Sequence, residues 1–351
     1  MRVVLLGGAG YIGSVAADLL VRQGHDVTVV DGLIYNRDDD PTKILPATAK
    51  FVHGDLRDTV VLRGVSAGAD VVVHLGGLVG EPACAVAERL AVELNYVAPV
   101  LAAEAAAQEG VGRFVFFSSC SVYGRHEGTV DEDTPTNPLG IYARTKVLTE
   151  ERLPAVLGGI PTTILRLATV HSLSPRQRLD SVVNRMASHA VADGRIRLNG
   201  GGQRRPLVHI NDVVHVLAQA LTMSGDHVWN VGSDLENHTI GDIARIVASV
   251  VPRAWIDHGP ELDETDARDY RVSFARLREA MPGACSTTLK QGVEEIVEAV
   301  AAGIAKNPQD SQYDNHAGLR LAIAGDRVAV LGSPDCERLH AEYLAAFGEG
   351  R

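Results

Sequence analysis

The stretch from Gly7 to Gly13, GGAGYIG, constrains this chain more than any other. It follows a short apolar run, Val3 to Leu6, and opens a helical segment from Tyr11 to Gln23. Gly7, Gly10 and Gly13 fall at G-x-x-G-x-x-G spacing. Glycine permits a tight strand-to-helix turn, lets the backbone approach a pyrophosphate, and lets helix and strand pack closely. The free N–H groups and positive dipole end of the helix then face the phosphates. Glycine-rich turns are common, so context decides the reading. Here a strand precedes the turn, a helix follows, and Asp31 closes the next apolar run. A carboxylate there accepts hydrogen bonds from the adenosine ribose hydroxyls and repels a 2′-phosphate, which favours NAD over NADP.

The same rhythm continues along the chain. Val27 to Val30, Val71 to Leu75, Phe114 to Phe117 and Thr163 to Leu167 are continuous apolar runs, as expected of strands buried on both faces. Helical patterns separate them, at Arg89 to Gln108 and Tyr142 to Leu157. The alternation predicts an α/β fold with a doubly wound parallel sheet. Pro99 falls inside the second of these helices and predicts a kink or a later start. Beyond about residue 170 the pattern becomes mixed, with helices expected near Asp180 to Ala192, Asp212 to Met223 and Ile240 to Val251, and strands near Ile196 to Leu198 and Val228 to Val231. The expected organisation is a cofactor domain over 1–170, rejoined by 205–235, and a smaller, discontinuous mixed α/β domain over 171–305. Residues 306–351 form a C-terminal extension. Lys306 to His316 reads as a linker, Leu319 to Leu331 as a hairpin around Gly325-Asp326, and Cys336 to Phe347 as a short helix.

Composition narrows the function. The 351 residues are 46% hydrophobic and 22% charged, a globular balance. A net charge of −11 disfavours nucleic acid and anionic membrane, while leaving room for a local basic patch that holds a phosphorylated small molecule. Cys84, Cys120, Cys285 and Cys336 show no metal-ligand spacing and read as reduced thiols, so no metal is expected and the expected setting is cytoplasmic. No signal peptide or membrane-spanning stretch is expected.

Tyr142 and Lys146, in YARTK, stand at i and i+4 and share one helix face. An unperturbed tyrosine ionises near pH 10, and a nearby ammonium favours its phenolate, bringing it towards service as an acid or base. Ser119 lies at the end of the Phe114 to Phe117 strand, where its hydroxyl can hold a reacting oxygen while Tyr142 exchanges the proton.

With these residues in hand, the chain resembles the extended short-chain dehydrogenase/reductase family, the NAD-dependent nucleotide-sugar epimerases and dehydratases. The resemblance covers Met1 to about residue 300 and rests on GGAGYIG, GDLRD (Gly54 to Asp58), HLGG (His74 to Gly77), Asn95, SSCSVYG, YARTK, RPLVHINDV (Arg205 to Val213) and NVG (Asn230 to Gly232). It implies a Rossmann-like fold with NAD held by Gly7, Gly10, Tyr11, Ile12, Gly13, Asp31, Asp55, Leu56, Leu75, Gly76, Gly77, Asn95, Tyr142 and Lys146. It also implies catalysis by Ser119, Tyr142 and Lys146, and a nucleoside diphosphate-sugar substrate met by Cys120, Ser121, Asn184, Arg205 and Arg268. A homodimer with a helical interface follows from the same resemblance. Guanidinium forks suit a diphosphate bidentately.

Three chemistries share such a scaffold. Sugar 4,6-dehydratases of the family place an Asp-Glu pair after the catalytic hydroxyl residue, whereas Cys120 and Ser121 stand there in this chain, which lowers that reading. A stand-alone reductase often draws on NADPH, whereas an epimerase recycles bound NAD, so Asp31 favours epimerisation. A keto-sugar reductase is the alternative, and a non-catalytic dinucleotide sensor stands last because the catalytic residues are present. The stretch TVHSLSPRQR departs from the family, with His171-Ser172 in place of the usual Tyr-Gly.

Overall fold

The computed structural model describes residues 1–35, 40–259, 269–304 and 310–348. The strands, in chain order, are β1 (Arg2–Leu6), β2 (Asp26–Asp31), β3 (Lys50–His53), β4 (Val71–His74), β5 (Arg113–Ser119), β6 (Arg125–Val130) and β7 (Thr162–Leu167). They continue with β8 (Thr169–His171), β9 (Arg195–Leu198), β10 (Arg204–His209), β11 (His227–Val231), β12 (Asn237–Thr239), β13 (Trp255–His258) and β14 (Asp269–Val272). Seven of them form one parallel sheet in the order β11-β7-β5-β4-β1-β2-β3. Apart from β3, which is half-buried to exposed, their Val-, Leu- and Phe-rich runs are buried on both faces, which is why they read as unbroken apolar stretches. The helix Tyr11–Arg22 lays Gly13, Ala16, Ala17 and Leu20 inward, small side chains that let it lie close to the sheet.

Smaller assemblies stand beside this sheet. β8, β10 and β12 form a three-stranded sheet, β9 pairs with β13, and β6 with β14. The helices Val182–Ala192, Ile240–Val250 and Leu289–Ala301 enclose a separate core around Val183, Ile243, Val247, Val293 and Ile296. Thr239 with Asp242, and Thr288 with Gln291, close capping boxes that start the last two helices.

Three expectations change. Pro99 does not delay the start of the helix. The segment runs from Glu88 to Gln108 with a π-turn at Glu93–Val97, because Pro99 has no N–H to offer the Asn95 carbonyl. That helix is also long and apolar enough to cross a membrane, contrary to expectation, yet 89% of its apolar window is buried inside the protein. Its uniform hydrophobicity reflects burial between the sheet and other helices. Finally, the expected hairpin at Leu319 to Leu331 is absent. Asn315–Ala324 is a helix, capped by Asp314 and buried along Leu319 and Ala322, a three-residue spacing that suits a helix face rather than a strand. The chain then runs extended to a second helix, Pro334–Phe347, close to the expected one.

Candidate active site

β1 pairs with β2 on one side and β4 on the other, so the strand order reverses there and a crevice opens beyond the carboxyl ends. The cleft at this point holds about 1260 Å³. Ordinary small-molecule pockets run to about 300–1,000 Å³, so there is room for two ligands.

The glycine turn lines one wall. Gly7 has φ +83°, and a side chain there would collide with the Gly76 backbone of the neighbouring turn. A side chain at Gly13 would strike Gly8 and the Gly7 carbonyl, so helix and turn meet closely only with glycine present. Gly10, Tyr11 and Ile12 share this wall. Asp31 stands at the rim, its carboxylate accepting from the Ala9 N–H at 3.0 Å and the Leu33 N–H at 2.8 Å. Burial raises its carboxyl above the ordinary value, and these two donors oppose the rise. Glycines approached this closely, beside an anchored carboxylate, fit the NAD site that the sequence implied.

Asp55 and Leu56 border the same end. Burial works to raise the Asp55 carboxyl, but Arg57, bonded to both its oxygens at 2.9 and 2.6 Å, takes it below the usual range. Leu75, Gly76 and Gly77 line the wall next to the glycine turn. Asn95 does not: it is buried behind that wall, accepting from the Leu78 N–H at 2.7 Å and donating to the Leu78 carbonyl at 2.9 Å. Its place is to hold the turn that borders the cleft.

β5 delivers Ser119 to the cleft, and the helix Ile141–Leu157 brings Tyr142 and Lys146 to it one turn apart. Ser119 Oγ donates to Ser121 Oγ at 3.0 Å and accepts the Ser121 N–H at 3.1 Å. Burial pushes the Tyr142 phenol up to about 12, with the nearby Ser119 hydroxyl working against the rise. The expected pairing of ammonium and phenol takes a different form. Lys146 Nζ donates to the Phe117 carbonyl at 2.8 Å, lies 4.7 Å over the Phe116 ring, and is 5.9 Å from the Tyr142 ring centre. Burial pulls its ammonium down to about 8. Desolvation is thus the largest cause at both groups. The Glu81 carboxylate caps the helix that carries them, accepting from the Tyr142 and Ala143 N–H groups at 3.4 Å each, and a side chain at Gly140 would occupy its place.

The substrate residues divide. Ser121 and Arg205 line the cleft. Cys120 does not: its thiol is buried and donates to the Arg166 carbonyl at 3.2 Å, and burial pushes it far up. Asn184 is likewise buried, accepting from the Ser172 N–H at 3.0 Å and donating to the Tyr11 hydroxyl at 3.1 Å and the Arg178 carbonyl at 2.7 Å. It ties the glycine turn to the smaller assembly. Arg268 lies outside the described residues. His171 is fully buried, edge-on to His209 at 5.5 Å and against Gly292 rather than in the cleft. Unanticipated are Arg176, Arg178, Arg185 and Arg197 in the cleft wall. The only sequence hints were the SPRQR run and the alternating RIR of β9.

Residues 3–232 match the NAD dependent epimerase/dehydratase family, and the chain belongs to it. It is similar to the UDP-glucose 4-epimerase of Corynebacterium glutamicum, 29% identical over 66% of this chain and 75% of that protein. The dTDP-glucose 4,6-dehydratase of Streptomyces niveus is 26% identical over 85% and 92% of the two chains. Among solved structures, MoeE5 in complex with UDP-glucuronic acid and NAD superposes with a TM-score of 0.76 at 26% identity, over 86% of this chain and 99% of its own. The fold is accordingly of the Rossmann type, and the cofactor of the family is NAD.

Proposed function

We propose that this enzyme epimerises a nucleoside diphosphate-sugar through a transient keto sugar. The observation that carries the reading is the meeting of Ser119, Tyr142 and Lys146 in a cleft large enough for both a dinucleotide and a nucleotide sugar, beside a non-carboxylate pair at Cys120 and Ser121. NAD, when bound, supplies reversible hydride acceptance. Tyr142, in the phenolate form that the Lys146 ammonium favours against burial, takes the proton of the hydroxyl on the sugar carbon being oxidised and returns it to the carbonyl oxygen on reduction. Ser119 holds that oxygen by hydrogen bonding, and Lys146 places a positive charge near the phenol and grips the cofactor ribose. Arg205 meets the substrate diphosphate as a fork, and residues 171–305 mainly form the sugar-nucleotide side. The test is incubation of purified protein with UDP- and dTDP-hexoses, followed by NMR. Interconversion of two stereoisomers without added NADH supports the reading. Stoichiometric NADH consumption with a keto sugar would replace it with the reductase, and loss of water from the sugar with the dehydratase.

A further inference from the structure

Nearly the whole of MoeE5 is matched by 86% of this chain, so part of this chain has no counterpart there. The family match ends earlier still, at residue 232. The C-terminal extension nevertheless enters the core. Leu319, Cys336 and Leu339 are fully buried, and Leu319 and Ala322 share a cluster with Leu78, Cys84 and Tyr142.

The first half of the extension, residues 310–331, contributes Asn315, His316, Arg327 and Val328 to the wall of the cleft. Gly318 rests on the Tyr35 ring, where an added Cβ would lie 3.2 Å from Cδ1. Arg176 stacks on the same ring at 4.9 Å and donates to Asn315 Oδ1 at 2.9 Å. The Leu179 N–H donates to the Tyr313 carbonyl at 2.8 Å. At its far end the segment is docked on a buried ion cluster. Arg57, while gripping Asp55, donates through Nη1 to Glu93 Oε2 at 2.5 Å and to the Ala329 carbonyl at 2.8 Å. Glu93 Oε2 also accepts the Leu331 N–H at 2.9 Å. One set of contacts sits beside the loop that follows Asp31, the other beside Asp55, so the segment spans the adenosine half of the crevice.

We infer that residues 310–331 are part of the dinucleotide site, a strap that walls in the adenosine end and slows release of the cofactor. This rests on the assignment of the cleft to NAD. Hydrogen bonds from Arg176 at one end and Arg57 at the other hold the strap in one position, and the Arg57 bridge makes that position the one that also orients Asp55. A dinucleotide seated under such a strap leaves only when the Arg176–Asn315 contact and its neighbours open.

The experiment measures release of NADH from the full-length protein by stopped-flow fluorescence after mixing with excess NAD. The Asn315→Ala/Arg327→Ala double variant is expected to release NADH about tenfold faster, the scale of one charge-assisted hydrogen bond. Hydrogen exchange on the unaltered protein supplies an independent reading: amides of 316–324 are expected to slow when NAD is added. Release within twofold of the unaltered rate by a folded double variant overturns the strap, as does unchanged exchange over 316–324. If the unaltered protein binds no NADH at all, the dinucleotide assignment itself falls, and the strap with it.

Discussion

The hydroxyl of Thr149 lies 2.8 Å from the Thr145 carbonyl of its own helix and 3.2 Å from the main-chain carbonyl of Asn95, so its one proton is shared with the acceptor that Pro99 leaves without a helical donor. Thr149 sits one turn beyond Lys146 on the neighbouring helix, so a defect in one helix is answered by a side chain from the other. Thr149→Val keeps the shape and removes the donor. The expected loss is about 1–2 kcal/mol of folding stability, read from urea unfolding. An unchanged midpoint would mean the carbonyl is satisfied otherwise.

Tyr142→Phe removes the only atom proposed to carry the proton while keeping the buried ring. Turnover should fall by about 10²–10⁴ with the circular dichroism spectrum and NAD affinity preserved. Ser119→Ala should cost less, because it leaves the phenol in place. Full activity in the Tyr142 variant would end the acid–base assignment.

Asp31→Asn removes the charge that accepts from the Ala9 and Leu33 N–H groups and that we propose meets the cofactor ribose. NAD should bind about tenfold or more weakly, and the preference over NADP should shrink, both measured by calorimetric titration. Equal loss for the two cofactors would place the residue in the fold rather than in selectivity.

Acid should unfold this protein early. Burial lowers His74 and His171 from 6.5 to about 3, so both stay neutral in the folded state. Below about pH 6.5 the unfolded chain binds protons that the folded chain refuses, so stability falls with pH down to about 3 and is unaffected by these groups above 6.5. The expected slope is up to about 1.4 kcal/mol per pH unit for each histidine. Urea midpoints at pH 7.5, 6 and 5 check it, and His171→Gln should flatten the decline. A slope unchanged by that substitution would assign the acid sensitivity elsewhere.

Much of the sheet was legible because buried parallel strands are written as continuous Val, Leu and Phe runs. β3, with Lys50 and His53 at its ends, lacked that signal and went unread. That the glycine turn, Asp31, Ser119, Tyr142 and Lys146 line one cleft was legible, since each stands at the end of a strand or the start of a helix. Asn184 and Cys120 show the limit: sequence gives a residue's neighbours along the chain but not the side on which its side chain is buried. The arginines of the cleft wall were harder still, being brought together from β9, the Val182–Ala192 helix and the loop between β8 and that helix. Leu319 and Ala322 misled because a short apolar run fits either period until one knows which face is covered.

Glu81 occupies the space that Gly140 leaves open and caps the helix bearing Tyr142, while Pro82 and Ala83 beside it look into the cleft. The short helix Glu81–Cys84 at the cleft wall and the helix that carries the phenol are therefore tied through one carboxylate. A ligand that pushed Pro82 and Ala83 aside would shift Tyr142 with them.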